Sequence, residues 1–305
     1  MKDITLTGAG PEEYTAVALG IFDGVHRGHR RVLETAFSYP SLTKAVFTFD
    51  TSTVDTKGEG YRMLITDAFK RKLLERAGAQ SIFSPDFLTL KNMEAEDFAR
   101  EILSGRMHAK VCVCGEKFRF GHNATGDSEA LIEYGRKYGF DVKIVERLDD
   151  SGKRISSSLI RQLVREGNVR EANRLLGYNY GYCLEVIHGN HIGRTWNFPT
   201  INQLLPDRLV LPRFGVYVSG VHIDGRVYAG VTNIGVKPTI EDKASPLAET
   251  FIIDYTGDLY GRSIEIELFD FIRPERKFDS IDELKAEIKQ NTESARATFE
   301  KLTRG

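Results

Sequence analysis

Two histidines, His26 and His29, close the stretch LGIFDGVHRGHR that runs from Leu19 to Arg30. Imidazole changes charge near neutrality and can donate or accept a hydrogen bond. A lone histidine on a surface needs no function. A pair bracketing Arg27 and Gly28, directly after an apolar run, calls for more. Gly28 lets a ligand approach the backbone closely. A helix opening at Gly28–His29 points free N–H groups and its positive dipole end into the same space. Donors without bulky side chains suit a nucleotide phosphate. They also suit phosphoryl or nucleotidyl transfer, which needs positioning and charge stabilisation more than covalent help.

The elements that must hold this pair follow from hydrophobic patterning. From Ala16 to about Leu148 apolar runs (AVALGIF, KAVFTF, SIFS, KVCVCG, DVKIVERL) alternate with helical stretches (GHRRVLETAF, DAFKRKLLERAG, EAEDFAREILSG, SEALIEYGRKYG). That alternation predicts a doubly wound parallel sheet, an α/β domain whose ligands bind at the carboxyl ends of the strands. After Gly177 the period changes to two, in GYCLEVIHG, FGVYVSGVHIDGRVYAGVTNIG, AETFIIDY and SIEIELFDFI. Asp224-Gly225 between VHI and RVY marks a two-residue hairpin. Short alternating strands of this kind predict a small antiparallel β-barrel. A terminal helix follows, with Ser280 and Glu283 as a capping box and Ile281, Leu284 and Ile288 on one face. A linking helix SSLIRQLVREG precedes the junction, which falls between Leu176 and Gly181. The expected domains are 1–178 and 179–305.

Bulk composition narrows the class. The chain has 305 residues, longer than one core usually serves. Lys plus Arg is 42 and Asp plus Glu is 43, so net charge gives no reason to expect DNA or RNA as a partner. The three cysteines, Cys112, Cys114 and Cys183, have no disulfide or metal spacing and suit a reducing cytoplasm. Cys112 and Cys114 share one strand face and read as buried apolar residues. MKDITLTGAG lacks a signal peptide's apolar core, and no apolar run approaches the roughly 20 residues of a membrane span. The expectation is a soluble chain.

The spacing His26-x-Gly28-His29 resembles the nucleotidylyltransferase superfamily, which shares it with other nucleotide-binding groups. The longer runs FDGVHRGHRRVL, GEKFRFGHNATGD and ISSSLIRQLVREGNVREANRLLGYNY occur in the order seen in the bacterial bifunctional riboflavin kinase/FMN adenylyltransferase (FAD synthetase) family. The second half resembles it more closely still, through HGNHIGRTWNFPTIN, FGVYVSG, GVTNIGVKPTI and ETFIIDYTGDLYGRSIEIELFDFIRPERKF.

The resemblance implies an adenylyltransferase-type sheet domain followed by a riboflavin kinase barrel. Riboflavin would be converted to FMN in the barrel and FMN to FAD in the sheet domain. ATP is the implied co-substrate, ADP and pyrophosphate the leaving products, and Mg²⁺ the implied cofactor. In the first half it implies nucleotide contacts from Gly20, Phe22, Asp23, Gly24, Gly28, Ser156, Ser157, Ser158 and Arg161, with His26 and His29 catalytic. In the second half it implies nucleotide contacts from Gly193, and metal and phosphate contacts from Thr200 and Asn202, both hard oxygen donors. Pro199 would hold the turn that carries them. Glu249 would be the general base, and Asn233 and Arg273 would contact flavin.

Departures from the family pattern fall mostly in the first half. TFDTSTVDTKGEG stands where a Pro-His-Pro run is usual, Lys117 where Asp or Asn often precedes FRFG, and Ser158-Leu159 where Thr-Arg is usual. In the second half Trp196 and Asn197 enter the usual Thr-Leu-Gly-Phe-Pro-Thr. Two alternatives to a bifunctional enzyme follow: a riboflavin kinase whose first domain is impaired or altered, and a flavin-binding regulator or carrier. Retained Thr200, Asn202 and Glu249 speak against the carrier, which needs neither metal ligands nor a base.

Overall fold

The computed structural model describes residues 1–8, 10–50, 62–150, 152–188, 199–237 and 245–303. By packing they fall into two compact units, one within Met1–Tyr61 and Asp67–Ser157, the other within Arg62–Thr66 and Ser158–Gly305. The expected 178/179 junction therefore differs from the packing division, because the helices after Ser157 group with the second unit. Gly193, Trp196, Asn197 and most of the TFDTSTVDTKGEG run lie outside the described residues.

In the first unit the chain runs β1 (Lys2–Ile4), β2 (Thr15–Leu19), α1 (Arg27–Phe37), β3 (Thr43–Phe47), α2 (Asp67–Arg76), β4 (Ser81–Phe83), α3 (Phe87–Leu90), α4 (Ala95–Asp97), β5 (Ala109–Gly115), α5 (Ser128–Tyr138) and β6 (Asp141–Val145). α4 runs on as a wider helix over Phe98–Arg106, ending with Met107 N–H on the Ile102 carbonyl, five residues back. A short hairpin, β7 (Asp149–Asp150) and β8 (Lys153–Arg154), follows. The six-stranded sheet has the order β1-β4-β3-β2-β5-β6, every pair parallel. β2 is buried along its whole length and β5 nearly so, as strands covered on both faces must be. From β2 the chain builds outward through β3 and β4, then returns to lay β5 on the other side of β2. Strand order thus reverses between β2 and β5, which opens a ligand crevice at their carboxyl ends. α1 packs against both strands through Val32, Leu33 and Ala36.

The second unit contains α6 (Ser157–Glu166) from its second residue on, α7 (Val169–Leu176), β9 (Gly181–Glu185), β10 (Thr200–Leu204), β11 (Gly215–Ile223), β12 (Arg226–Lys237), β13 (Ser245–Ile252), β14 (Ser263–Arg273) and α8 (Ile281–Thr303). Its sheet has the order β10-β13-β12-β11-β14-β9, all antiparallel. The ends nearly close: Ile187 N–H donates to the Asn202 carbonyl at 2.8 Å, and Gln203 Nε2 donates to Leu184 O at 2.7 Å. This is the expected antiparallel barrel with a terminal helix, built from six strands. Tyr182, Gln203, Tyr217, Thr232, Ile234, Thr250, Ile266 and Leu268 point inward by register and are fully buried. Asp224-Gly225 forms the expected turn, with φ of 47° and 79°, which favours glycine at its second position.

Two expectations need correction. Thr200 and Asn202 lie on strand β10, not in a turn; Pro199 precedes the strand. The inward stripe of α8 runs through half-buried Leu284 and Ile288, buried Asn291 and Ala295 and half-buried Phe299, while Ile281 is exposed. The cap is also offset: Ser280 Oγ accepts from Glu283 N–H, but Glu283 accepts from Asp279 N–H.

Candidate functional sites

The first site follows β2. Gly20 N–H donates to Phe47 O at 3.2 Å and Thr48 Oγ1 to Ile21 O at 2.9 Å, tying the loop to the end of β3. Phe22 (φ 52°) and Val25 (φ 35°) are held in the left-handed region, and Gly24 (φ 84°) lies between them. Such backbone costs energy for side-chain-bearing residues, and a β-branched one above all. Burial holds it in place: Phe22 and Val25 are each 1% exposed. Asp23 is also buried, and its carbonyl accepts from Ser157 Oγ at 2.9 Å.

His26 caps α1, its Nδ1 accepting from His29 N–H at 3.3 Å. That bond assigns the proton of a neutral His26 to Nε2, the remaining donor. The two imidazoles stack, with centroids 3.6 Å apart and planes 14° from parallel, and Phe22 meets His29 edge-on at 5.5 Å. A Cβ on Gly28 would stand 3.2–3.3 Å from the His26 ring, tighter than usual. Glycine therefore leaves room for the ring as well as for a ligand. Arg27 pairs with Asp150 at 3.3 Å. Ser156 and Ser157 belong to this unit, whereas Ser158 and Arg161, 3.5 Å apart, group with the second. Lys117 is exposed on the turn closed by Phe118 N–H on Gly115 O, just past β5 and thus at the crevice end of the sheet. Sequence reading missed buried Lys70, whose Nζ donates to Phe49 O at 2.8 Å and pairs with Asp67 at 2.5 Å, anchoring the chain beyond β3.

The second site is a single cross-strand row on the outer face of the barrel. Asn202 pairs with Glu249, Glu249 with Asn233, Asn233 with Val216, and Val216 with Arg273. Directly opposed side chains in an antiparallel sheet have Cβ atoms about 4.5–5.5 Å apart. Register alone therefore brings the expected carboxylate between two amides. Thr200 lies on the same face of β10, two residues before Asn202. Asn202 is buried and Glu249 half-buried. Asn233 Nδ2 donates to Glu275 Oε1 at 3.2 Å, and a Cβ on Gly235 would collide with that same carboxylate. Arg273 is turned to α8, where its Nε lies 2.7 Å from Glu287, which also holds Arg276 at 2.7 Å. Glu275 and Glu287 were not singled out from sequence, since their partners are set by tertiary packing. A hydroxyl, an amide oxygen and a carboxylate are hard oxygen donors, a set that fits Mg²⁺ rather than a soft metal.

Among the described residues no helix is long and apolar enough to cross a membrane. The riboflavin kinase family model matches residues 176–299 and the FAD synthetase model residues 10–159. Curated bifunctional riboflavin kinase/FMN adenylyltransferases are similar over nearly full length. The Bacillus subtilis protein is 35% identical, covering 94% of this chain and 93% of its own. The Escherichia coli K12 protein is 33% identical (95% and 94%), and that of Listeria monocytogenes 32% (94% and 93%). A crystal structure described as a macrolide-efflux protein from Streptococcus pneumoniae superposes with a TM-score of 0.83 at 31% identity, covering 97% of this chain and 99% of that one.

Proposed function

Because the chain belongs to the bifunctional riboflavin kinase/FMN adenylyltransferase family, we propose that its two sites divide the two reactions, phosphorylation in the barrel row and adenylylation at the histidine loop. The protein is an ATP-dependent transferase of flavin cofactor biosynthesis, acting on riboflavin and FMN. The assignment of residues to steps is our reading. The observation that carries it is the register that sets Glu249 between Asn202 and Asn233.

In the barrel, Glu249 takes the proton from the ribityl 5′-hydroxyl of riboflavin as that oxygen attacks the γ-phosphorus of ATP, and ADP leaves. Thr200 and Asn202 would hold Mg²⁺, which neutralises phosphate charge when bound. Asn233 orients the flavin side of the site, and Arg273 closes it when released from Glu287. At the histidine loop, an FMN phosphate oxygen attacks the α-phosphorus of ATP and pyrophosphate leaves. His26 Nε2–H, His29 and the free N–H groups opening α1 stabilise the charge on the transferring phosphate. The backbone of Gly20, Phe22, Asp23, Gly24 and Gly28 lines that approach, with Ser156 and Ser157 as further phosphate donors. We assign the catalytic domains to 1–178 and 179–305. Three buried free cysteines fit a cytoplasmic setting.

Chromatography of products after incubation with riboflavin, Mg²⁺ and ATP tests this reading. FAD supports both assignments. FMN alone supports the second reading, a kinase with altered adenylyl transfer, which exposed Lys117 at the crevice favours. Neither product would overturn both.

A further inference from the structure

Two arginines compete for one carboxylate at the end of the outer row that lies farthest from Asn202. Arg273 closes β14, Arg276 follows three residues later, and both reach Glu287 on α8. They hold it unequally. Arg276 donates a hydrogen bond from Nη2 to Glu287 Oε2 at 2.7 Å, and Glu283 stands 3.5 Å from the same guanidinium. Arg273 Nε is equally close to Oε1, 2.7 Å, yet its buried N–H is aligned on no acceptor among the described residues. Its Nη1 donates to the carbonyl of its own neighbour, Pro274, at 3.1 Å. Both guanidiniums lie over the Phe278 ring, 5.5 and 4.7 Å from its centre.

Alignment decides what such a contact is worth, because a guanidinium donates only in its own plane. Arg273 is therefore held to Glu287 by charge, whereas Arg276 adds a hydrogen bond. The Arg273 and Glu287 side chains are 18% and 15% exposed, and a half-buried carboxylate left unpaired is costly. Arg276 removes that cost, since it stays on Glu287 when Arg273 departs. Arg273 is also three strands from Glu249 in the row, about 14 Å at 4.7–4.9 Å per strand, too far to touch the transferred phosphate. We propose that Glu287 is a positioning residue: it parks Arg273 against α8, in competition with Arg276, and so sets the affinity for flavin. This rests on the reading in which Arg273 contacts flavin. A flavin that must draw Arg273 from Glu287 has its affinity reduced to the fraction of molecules in which Arg273 is free. Removing the carboxylate therefore tightens flavin binding. Removing Arg276 leaves Glu287 to Arg273 alone and weakens it.

The test measures FMN formation by the full chain over a range of riboflavin at saturating Mg-ATP. In Glu287→Gln, kcat/KM for riboflavin should rise at least about threefold, and in Arg276→Gln it should fall at least about threefold. The KM for ATP should be unchanged in both, and in an Arg273→Gln background neither substitution should have an effect. A Glu287 that merely braced the segment against α8 would give the opposite sign, a lower kcat/KM in Glu287→Gln. Should Glu287→Gln fail to fold, Arg276→Gln, whose side chain is 48% exposed, carries the comparison. Arg273→Gln on its own separates the two readings, because an undiminished kcat/KM there refutes the flavin contact itself. Where Arg273→Gln does lower it, three results overturn the parking alone: no rise in Glu287→Gln, no fall in Arg276→Gln, or the same effects without Arg273.

Discussion

Replacing Glu249 by Gln isolates the proton transfer proposed for the barrel. The amide keeps the size of the side chain and its place in the row between Asn202 and Asn233, both amides themselves. It cannot take up the hydroxyl proton. Loss of a general base typically costs 10²–10⁴ in rate. At 1.36 kcal/mol per decade that is about 2.7–5.4 kcal/mol on the barrier. The fold should hardly notice, because Glu249 is half-buried and points away from the barrel interior. A stability change within about 0.5 kcal/mol moves the melting midpoint by roughly 1–2 °C in a unit of this size. Rapid-quench measurement of FMN from riboflavin and Mg-ATP should show kcat down at least about 10²-fold. The KM for ATP should be nearly unchanged, and FAD formation from supplied FMN intact. FMN formation within about threefold of wild type would remove Glu249 from the mechanism, whatever its position.

Four further outcomes are expected. His26→Ala and His29→Ala, by breaking the 3.6 Å stack, should slow FMN-to-FAD conversion by about 10² or more and leave FMN formation intact; equal loss of both activities in a folded variant contradicts the two-site assignment. Lys117 cannot ligate a metal while protonated, so Lys117→Asp should make adenylyl transfer depend more steeply on Mg²⁺; superimposable magnesium titrations for wild type and variant refute that. A fragment of residues 158–305 should make FMN and melt higher than 180–305, because Asn173 donates to Leu268 O at 2.9 Å and Arg170 pairs with Asp270; equal melting midpoints would show the two helices to be dispensable. Burial raises the Cys114 thiol to about 12 and Cys112 well above its ordinary range, so thiolate stays scarce until pH approaches those values. Peptide mass analysis should find both unalkylated in folded protein at pH 8, and rapid labelling would refute their burial.

Long, strongly patterned elements were legible from sequence because burial dictates their composition. β2 and β5 read as strands since both of their faces are covered, and Asp224-Gly225 read as a turn since its dihedral angles select those residues. β1 was missed: it has three residues, two of them exposed, and pairing with β4 rather than patterning defines it. β10 was missed for a related reason. It occupies one end of the sheet order, and outward Thr200 and Asn202 and inward Gln203 are all polar, so the run carries little apolar alternation. The histidine loop could be argued from residue types because its members are adjacent in the chain. The barrel row could not, since cross-strand register has no local signature; only the family resemblance singled out Asn202, Glu249, Asn233 and Arg273. Glu275 and Glu287 escaped for the same cause.

The ladder joining β10, β13 and β12 has a consequence for how this gene can change. Side chains alternate along a strand, so which of them join the outer row is a matter of odd and even. Insertions in the connection between Leu204 and Gly215 add length without altering that parity. One residue gained or lost inside β13, upstream of Glu249, exchanges its side chain with that of a neighbour such as Thr250, whose hydroxyl lies 2.9 Å from Thr232 in the barrel interior. The acid would then be driven inward, at a cost of several kcal/mol for an unpaired buried charge, while a threonine took its place in the outer row. Frame-preserving codon insertions should thus be tolerated in the turns and rejected within these three strands, a pattern that deep insertion scanning can read directly.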